Sequence, residues 1–207
     1  MRVGAGDTSS MTISDIQKIK VDTNKDIFDA LNEISSKNNY EEIVISAAGP
    51  VSENKISMTN RELEISAADL EKELNVKECH LLNDWESIGY SLPLMTKNDF
   101  NVIKSGNMDN SQTCLAIGPG TGLGFSVLRY VGNVPYVYPT ELGNARSYND
   151  HLSNLFEISN SKNFIVLEDY LSGTGIKKIY AEKSGKNLTT EEIAVSYTHL
   201  RAHETTC

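Results

Sequence analysis

Cys114-Leu115-Ala116-Ile117-Gly118-Pro119-Gly120-Thr121-Gly122-Leu123-Gly124-Phe125-Ser126-Val127-Leu128 is the stretch on which the reading of this chain turns. Two apolar runs flank alternating glycines and one threonine, which predicts strand, turn, strand. Glycine lets backbone N–H groups approach an anion with no side chain in the way. Successive N–H groups in such a turn form a phosphate nest. A Rossmann fingerprint is excluded, because the GxGxxG register fails at Leu123 and no helix follows. A Walker A loop is excluded too, because no Lys-Ser/Thr closes the turn. Two readings stay open. One is a phosphate-holding loop with Thr121 as a hydroxyl donor. The other is a tight glycine-rich hairpin without a ligand, since glycine also serves φ > 0 in hairpin turns.

Upstream, residues 11–22 alternate in part (Met11, Ile13, Ile16, Ile19, Val21) around a turn near Ser14-Asp15, which predicts two short strands. Asp22-Thr23-Asn24 offers caps for a helix whose apolar face is Ile27, Phe28, Leu31 and Ile34. Ile43-Val44-Ile45 predicts a strand buried on both faces, ending in the loop Ala47-Ala48-Gly49-Pro50-Val51. Ser66 is placed to cap a helix reaching Leu74. A strand over Cys79-His80-Leu81-Leu82 ends at Asn83-Asp84, and a helix over 85–92 follows. The order β-β-α-β-α-β-α implies an α/β layer architecture. The polar run from Lys104 to Ser111 marks a domain boundary. Beyond it, strands are expected near Thr113, Phe125 and Tyr136-Val137-Tyr138, and helices around Leu152, Leu155, Phe156 and around Ile176, Ile179, Tyr180. Phe164-Ile165-Val166-Leu167 is apolar and fits strand or helix.

The bulk properties narrow the function classes. The chain has 207 residues, 39% hydrophobic and 23% charged, with a net charge of -9. That suits one domain or two small ones in a packed protein. The negative balance argues against nucleic acid or an anionic membrane as the main partner. No apolar run spans a bilayer and Met1–Asp7 lacks a signal-peptide core, so the cytoplasm is the expected location. The three cysteines include no CxxC pair, so structural zinc is not expected. His199 and His203 stand four apart without the intervening Glu of a zincin motif, and no metal site is assigned there. His80 and His151 read as structural.

Several acids could carry chemistry. Asn83-Asp84 lies at the carboxyl end of a strand, where ligands of open α/β sheets bind. Asp84 there is either a general base for a hydroxyl nucleophile or a helix cap. Glu141 and Glu168 sit beside apolar and glycine-bearing segments. Each is either a rigid acceptor for polyol hydroxyls or plain surface charge.

In order and spacing over residues 11–185, these segments resemble bacterial glucokinases, of the hexokinase/actin-like sugar kinase superfamily. The matching residues are Ala47-Ala48-Gly49-Pro50-Val51, Met58-Thr59-Asn60, Leu82-Asn83-Asp84, Ser91-Leu92-Pro93, Gly118 to Gly124, Glu141 with Gly143, and Glu168 to Gly175. The resemblance implies an α/β, actin-like (ribonuclease H-like) small lobe plus an incomplete second lobe, with sugar bound in a cleft between lobes. It implies ATP-dependent phosphorylation of glucose, with Asp84 taking the proton of the sugar 6-hydroxyl. Asn60, Asn83, Glu141, Asn144 and Glu168 would contact the sugar. Gly118, Gly120, Thr121 and Gly122 would hold the ATP phosphates, with Mg2+ neutralising charge. A homodimer is compatible with the parent enzyme.

The chain also departs from the family. Where members carry Glu-Gly-Gly-His, it reads Glu141-Leu142-Gly143-Asn144. No aromatic follows Thr59-Asn60. Val3-Gly4-Ala5-Gly6-Asp7-Thr8-Ser9-Ser10 does not reproduce the first phosphate motif, Asp-x-Gly-Gly-Thr-Asn-x-Arg, so the first strand of the sheet is expected to be lost or replaced. The expected organisation is a small lobe over 1–110, a partial large lobe over 111–194, and a non-native tail over 195–207 resembling adapter read-through. An inactive fragment of a glucokinase is therefore expected. The alternatives are a catalytically dead sugar-binding or regulatory relative, and an unstable truncation product.

Overall fold

The computed structural model describes residues 1–58, 63–106, 112–138, 140–146 and 149–195. They fall into two compact units, Met1–Ser87 and Ile88–Cys207. This division lies upstream of the polar run at 104–111, of which 107–111 are outside the described residues.

The first unit opens with β1 (Arg2–Asp7) and β2 (Thr12–Lys18), an antiparallel pair that forms its own two-stranded sheet. The hairpin thus begins nine residues earlier than the sequence suggests, at Arg2 rather than Met11, and its turn is at 8–11. Asp7 closes that turn by accepting the Ser9 N–H at 2.8 Å and the Ser9 hydroxyl at 2.6 Å. The Ser14-Asp15 signal marks a bulge instead. The register slips between Val3 and Ala5, and Asp15 takes a φ of 51°, a left-handed conformation that Asp tolerates better than most residues.

Helix α1 (Asn24–Ser35) begins with a capping box of Thr23 and Asp26. β3 (Glu42–Ala47) runs parallel to β7 (Glu78–Asn83), pairing Ile43 with Cys79 and Ala47 with Asn83. The expectation of a doubly buried β3 fails. Val44 is 62% exposed, while its neighbours Ile43 and Ile45 pack on the core of Ile56, Ile65, Leu70 and Leu81. Between β3 and β7 lie three short antiparallel strands, β4 (Val51–Ser52), β5 (Lys55–Ser57) and β6 (Glu64–Ser66). The β4–β5 turn uses Glu53 and Asn54 at φ 52° and 60°, the positive pair of a type I′ hairpin. Ser66 caps α2 (Ala67–Leu74) through the Asp69 N–H, as expected. α3 (Asp84–Ser91) then follows β7 directly.

The second unit is built on a meander of β8 (Cys114–Pro119), β9 (Leu123–Val131) and β10 (Val134–Tyr138), with β9 central. Gly89, late in α3, lies against it: a Cβ there would stand 2.1 Å from the Ser126 hydroxyl oxygen. α4 (Asn149–Leu155), α5 (Glu168–Leu171) and α6 (Gly173–Ser184) complete the unit. Ile158, Phe164 and Tyr170 form its smaller core with Leu152, Phe156 and Ile179. Phe164–Leu167 is neither strand nor helix. Asp169 takes the Ile165 and Val166 N–H groups at 2.8 and 3.0 Å, which a regular ladder would have used. Of the tail expected over 195–207, all but Val195 lies outside the described residues, His199 and His203 included.

Candidate functional site

In the second unit the site is the turn between β8 and β9. Gly118 pairs with Gly124 and Pro119 with Leu123, leaving Gly120, Thr121 and Gly122 at the tip. The Gly120 N–H faces the carbonyls of Gly118 and Gly122, at 3.0 and 2.9 Å. The Leu123 N–H donates to Glu168 Oε2 at 2.9 Å. Among the described residues, the N–H groups of Thr121 and Gly122 find no acceptor, and Thr121 is exposed. The start of α6 holds the carbonyl side of the turn. The Gly173 N–H donates to the Gly120 carbonyl at 2.8 Å, and the Thr174 hydroxyl donates to the Thr121 carbonyl at 3.0 Å. With the carbonyls held, the two remaining N–H groups are available to an anion.

Glu141 precedes a one-turn 3-10 segment, Leu142–Asn144, and Asn144 is its last residue. Its approach to the glycine turn depends on Gly143, where a Cβ would stand 2.3 Å from the Leu123 carbonyl oxygen. The Leu167 N–H donates to the Ala145 carbonyl at 3.0 Å, joining this segment to the start of α5. Glu141, Asn144, Glu168 and the glycine turn are therefore gathered around one residue, Leu123. Glu141 and Asn144 are exposed and Glu168 is half-buried.

In the first unit, Asn83 and Asp84 sit where β7 passes into α3. Both accept the Trp85 N–H, each at 2.9 Å. The Asn83 side-chain amide also donates to the Gly49 carbonyl at 3.1 Å, joining two of the resembling segments. Gly49 itself admits no Cβ, which would stand 2.2 Å from the Ser57 carbonyl oxygen. Asn83 is thus half structural. Asp84 is half-buried, and among the described residues its second oxygen, Oδ2, receives no hydrogen bond. Asn60 lies outside the described residues.

Sequence reasoning missed the support behind Glu168. Burial works against the Asp169 carboxylate, but the Lys178 ammonium and the N–H groups of Val166 and Ile165 outweigh it and hold its pKa below the ordinary value. Ser172 caps α6 by accepting the Gly175 N–H at 2.9 Å. The Ser-x-x-Gly spacing was the available signal. No group of three or more His, Cys, Asp or Glu residues able to hold a metal occurs among the described residues. Among them no helix is long and apolar enough to cross a membrane.

A family model described as Glucokinase matches residues 3–206. The glucokinase of Colwellia psychrerythraea is 31% identical over 157 residues, covering 74% of this chain and 48% of that protein. The glucokinase of a Nostoc species is 31% identical over 156 residues, covering 73% of this chain and 46% of that protein. The chain therefore spans about half the length of these curated relatives. Among solved structures, glucokinase from an Antarctic psychrotroph matches with a TM-score of 0.72 at 20% identity, covering 91% of this chain and 63% of that one. Glucokinase from Balamuthia mandrillaris, solved in complex with glucose, matches with a TM-score of 0.61 at 19% identity, covering 93% of this chain and 64% of that one. At these identities the structural likeness establishes the actin-like sugar kinase fold.

Proposed function

The chain belongs to the glucokinase family, and on that premise we propose that it is the hexose- and phosphate-holding part of a cytoplasmic enzyme that transfers the γ-phosphoryl group of ATP to the 6-hydroxyl of glucose. The observation that carries this is the glycine turn, whose Thr121 and Gly122 N–H groups are left available while its carbonyls are held by α6. Such a turn, with exposed N–H groups and no side chain at Gly120 or Gly122 to stand in the way, suits phosphate. ATP would supply the phosphoryl group, with Mg2+ neutralising charge on its phosphates.

The remaining roles follow from chemistry. Asp84 accepts the proton of the attacking hydroxyl through its unpartnered oxygen. Asn83, held by the Gly49 carbonyl and the Trp85 N–H, contacts a sugar hydroxyl. Asn60, Glu141, Asn144 and Glu168 accept or donate to the other ring hydroxyls. Asn144 keeps hydrogen-bonding capacity but carries no charge. Most of the catalytic effect would come from positioning.

A second reading, glucose binding without phosphorylation, is favoured by one observation. Asp7, in the place of the first phosphate motif, turns its carboxylate onto Ser9 and Ser10 of its own turn. Glucose titration by calorimetry, beside a coupled assay for glucose 6-phosphate, tests both. Phosphorylation abolished by Asp84→Asn supports the kinase; saturable glucose binding with no turnover supports the second reading. Absence of glucose binding refutes both.

A further inference from the structure

Glu168 has a task in this structure that does not involve sugar. Its Oε2 accepts the Leu123 N–H at 2.9 Å, and a Cβ on Gly122 would stand 2.7 Å from the same oxygen. The carboxylate is therefore lodged in the last corner of the glycine turn. Its own backbone is held on both sides. Asp169, the next residue, accepts the Ile165 and Val166 N–H groups and pairs with Lys178. The Ser172 hydroxyl donates to the Glu168 carbonyl at 2.8 Å. Among the described residues, Oε1 receives no hydrogen bond.

We propose that Glu168 is a positioning residue for the glycine turn as well as a hexose ligand, so that a hexose at Glu168 and a nucleotide phosphate at Thr121 and Gly122 strengthen each other's binding. The ligands in this statement rest on the hexose-kinase reading; the tether to Leu123 does not. Hydroxyls donating to Oε1 hold the side chain in the rotamer that reaches Leu123. A turn held in this way has less freedom left to lose when a phosphate arrives. Linkage makes the effect equal in both directions.

The test uses the full chain with Glu168→Ala, Glu168→Gln and Gly122→Ala, glucose and ADP as probes, and amide exchange read at Leu123. Exchange there should quicken by about tenfold or more in Glu168→Ala, as expected for loss of one charge-assisted bond. It should stay slow in Glu168→Gln, whose amide oxygen still accepts. ADP affinity without glucose should fall about tenfold in Glu168→Ala, whereas a pure sugar ligand would leave it unmoved. Glucose should tighten ADP binding in the parent but not in Gly122→Ala, whose Cβ displaces Oε2 while keeping the charge. Unchanged Leu123 exchange in Glu168→Ala overturns the proposal. So does independent binding of glucose and ADP in the parent, which leaves the kinase reading intact. If neither probe binds, the kinase reading falls and the coupling with it, while Leu123 exchange still reports on the tether.

Discussion

Gly143→Ala is the most exacting probe of how the site is assembled. A Cβ at this position would stand 2.3 Å from the Leu123 carbonyl oxygen, and ordinary contact begins at 3.4 Å, so the two segments must part by about 1.1 Å. The obstacle is backbone, which cannot turn aside as the end of a flexible side chain does. Overpacking of this kind costs about 1–3 kcal/mol, and a backbone obstacle argues for the upper end. At about 2–4 °C per kcal/mol for a chain of this size, the melting temperature should fall by about 6–12 °C. Glu141 and Asn144 move with the displaced segment, and one hydrogen bond lost to a hexose hydroxyl should weaken glucose binding by about five- to tenfold. Differential scanning calorimetry and glucose titration provide the two readouts. Gly106→Ala is the control, because nothing lies within 4 Å of a Cβ there. If Gly143→Ala melts within about 1 °C of the parent and binds glucose equally well, the close approach does not organise the site.

Three further outcomes are expected. The Ser126 hydroxyl is fully buried and, among the described residues, has no hydrogen-bond partner, so Ser126→Ala should raise stability by about 1 kcal/mol, read as a higher melting temperature. Burial, with the Glu71 carboxylate adding to it, pushes the Cys79 thiol up to about 11; iodoacetamide near neutral pH should therefore label Cys79 only after unfolding, as read by mass spectrometry. The Asp169 carboxyl is held below its ordinary 3.8, so its contribution is complete above about pH 4 and is lost as pH falls through the folded value. Asp169→Asn should cost about 2 kcal/mol in urea unfolding at neutral pH, and the gap to the parent should narrow below about pH 4.

The elements legible in the sequence are those set by neighbours in the chain. Thr23 with Asp26, and Ser66 with the apolar positions of α2, specify helix starts within four residues. The β8–β9 hairpin is equally local, because the glycines and the apolar runs beside them announce it. β4, β5 and β6 are two or three residues long, too short for alternation to register. Phe164–Leu167 could not be read from its own residues, because the Asp169 side chain decides its backbone. The exposure of Val44 depends on which strand and core lie beside β3. The site divides in the same way. Its residue types and the turn could be named, whereas the Glu168–Leu123 bond spans 45 positions. The sequence also offers no reason why position 143 must lack a Cβ.

The grip on Leu123 involves only its peptide atoms, the N–H held by Glu168 and the carbonyl faced by Gly143. Mutational tolerance around the turn should therefore run opposite to intuition. The residue at the centre of the arrangement can exchange its side chain for another apolar one of similar size. Its neighbours at 122 and 143, which contribute no side chain at all, have the least latitude. A saturation scan would find the site's strictest requirements at its emptiest positions.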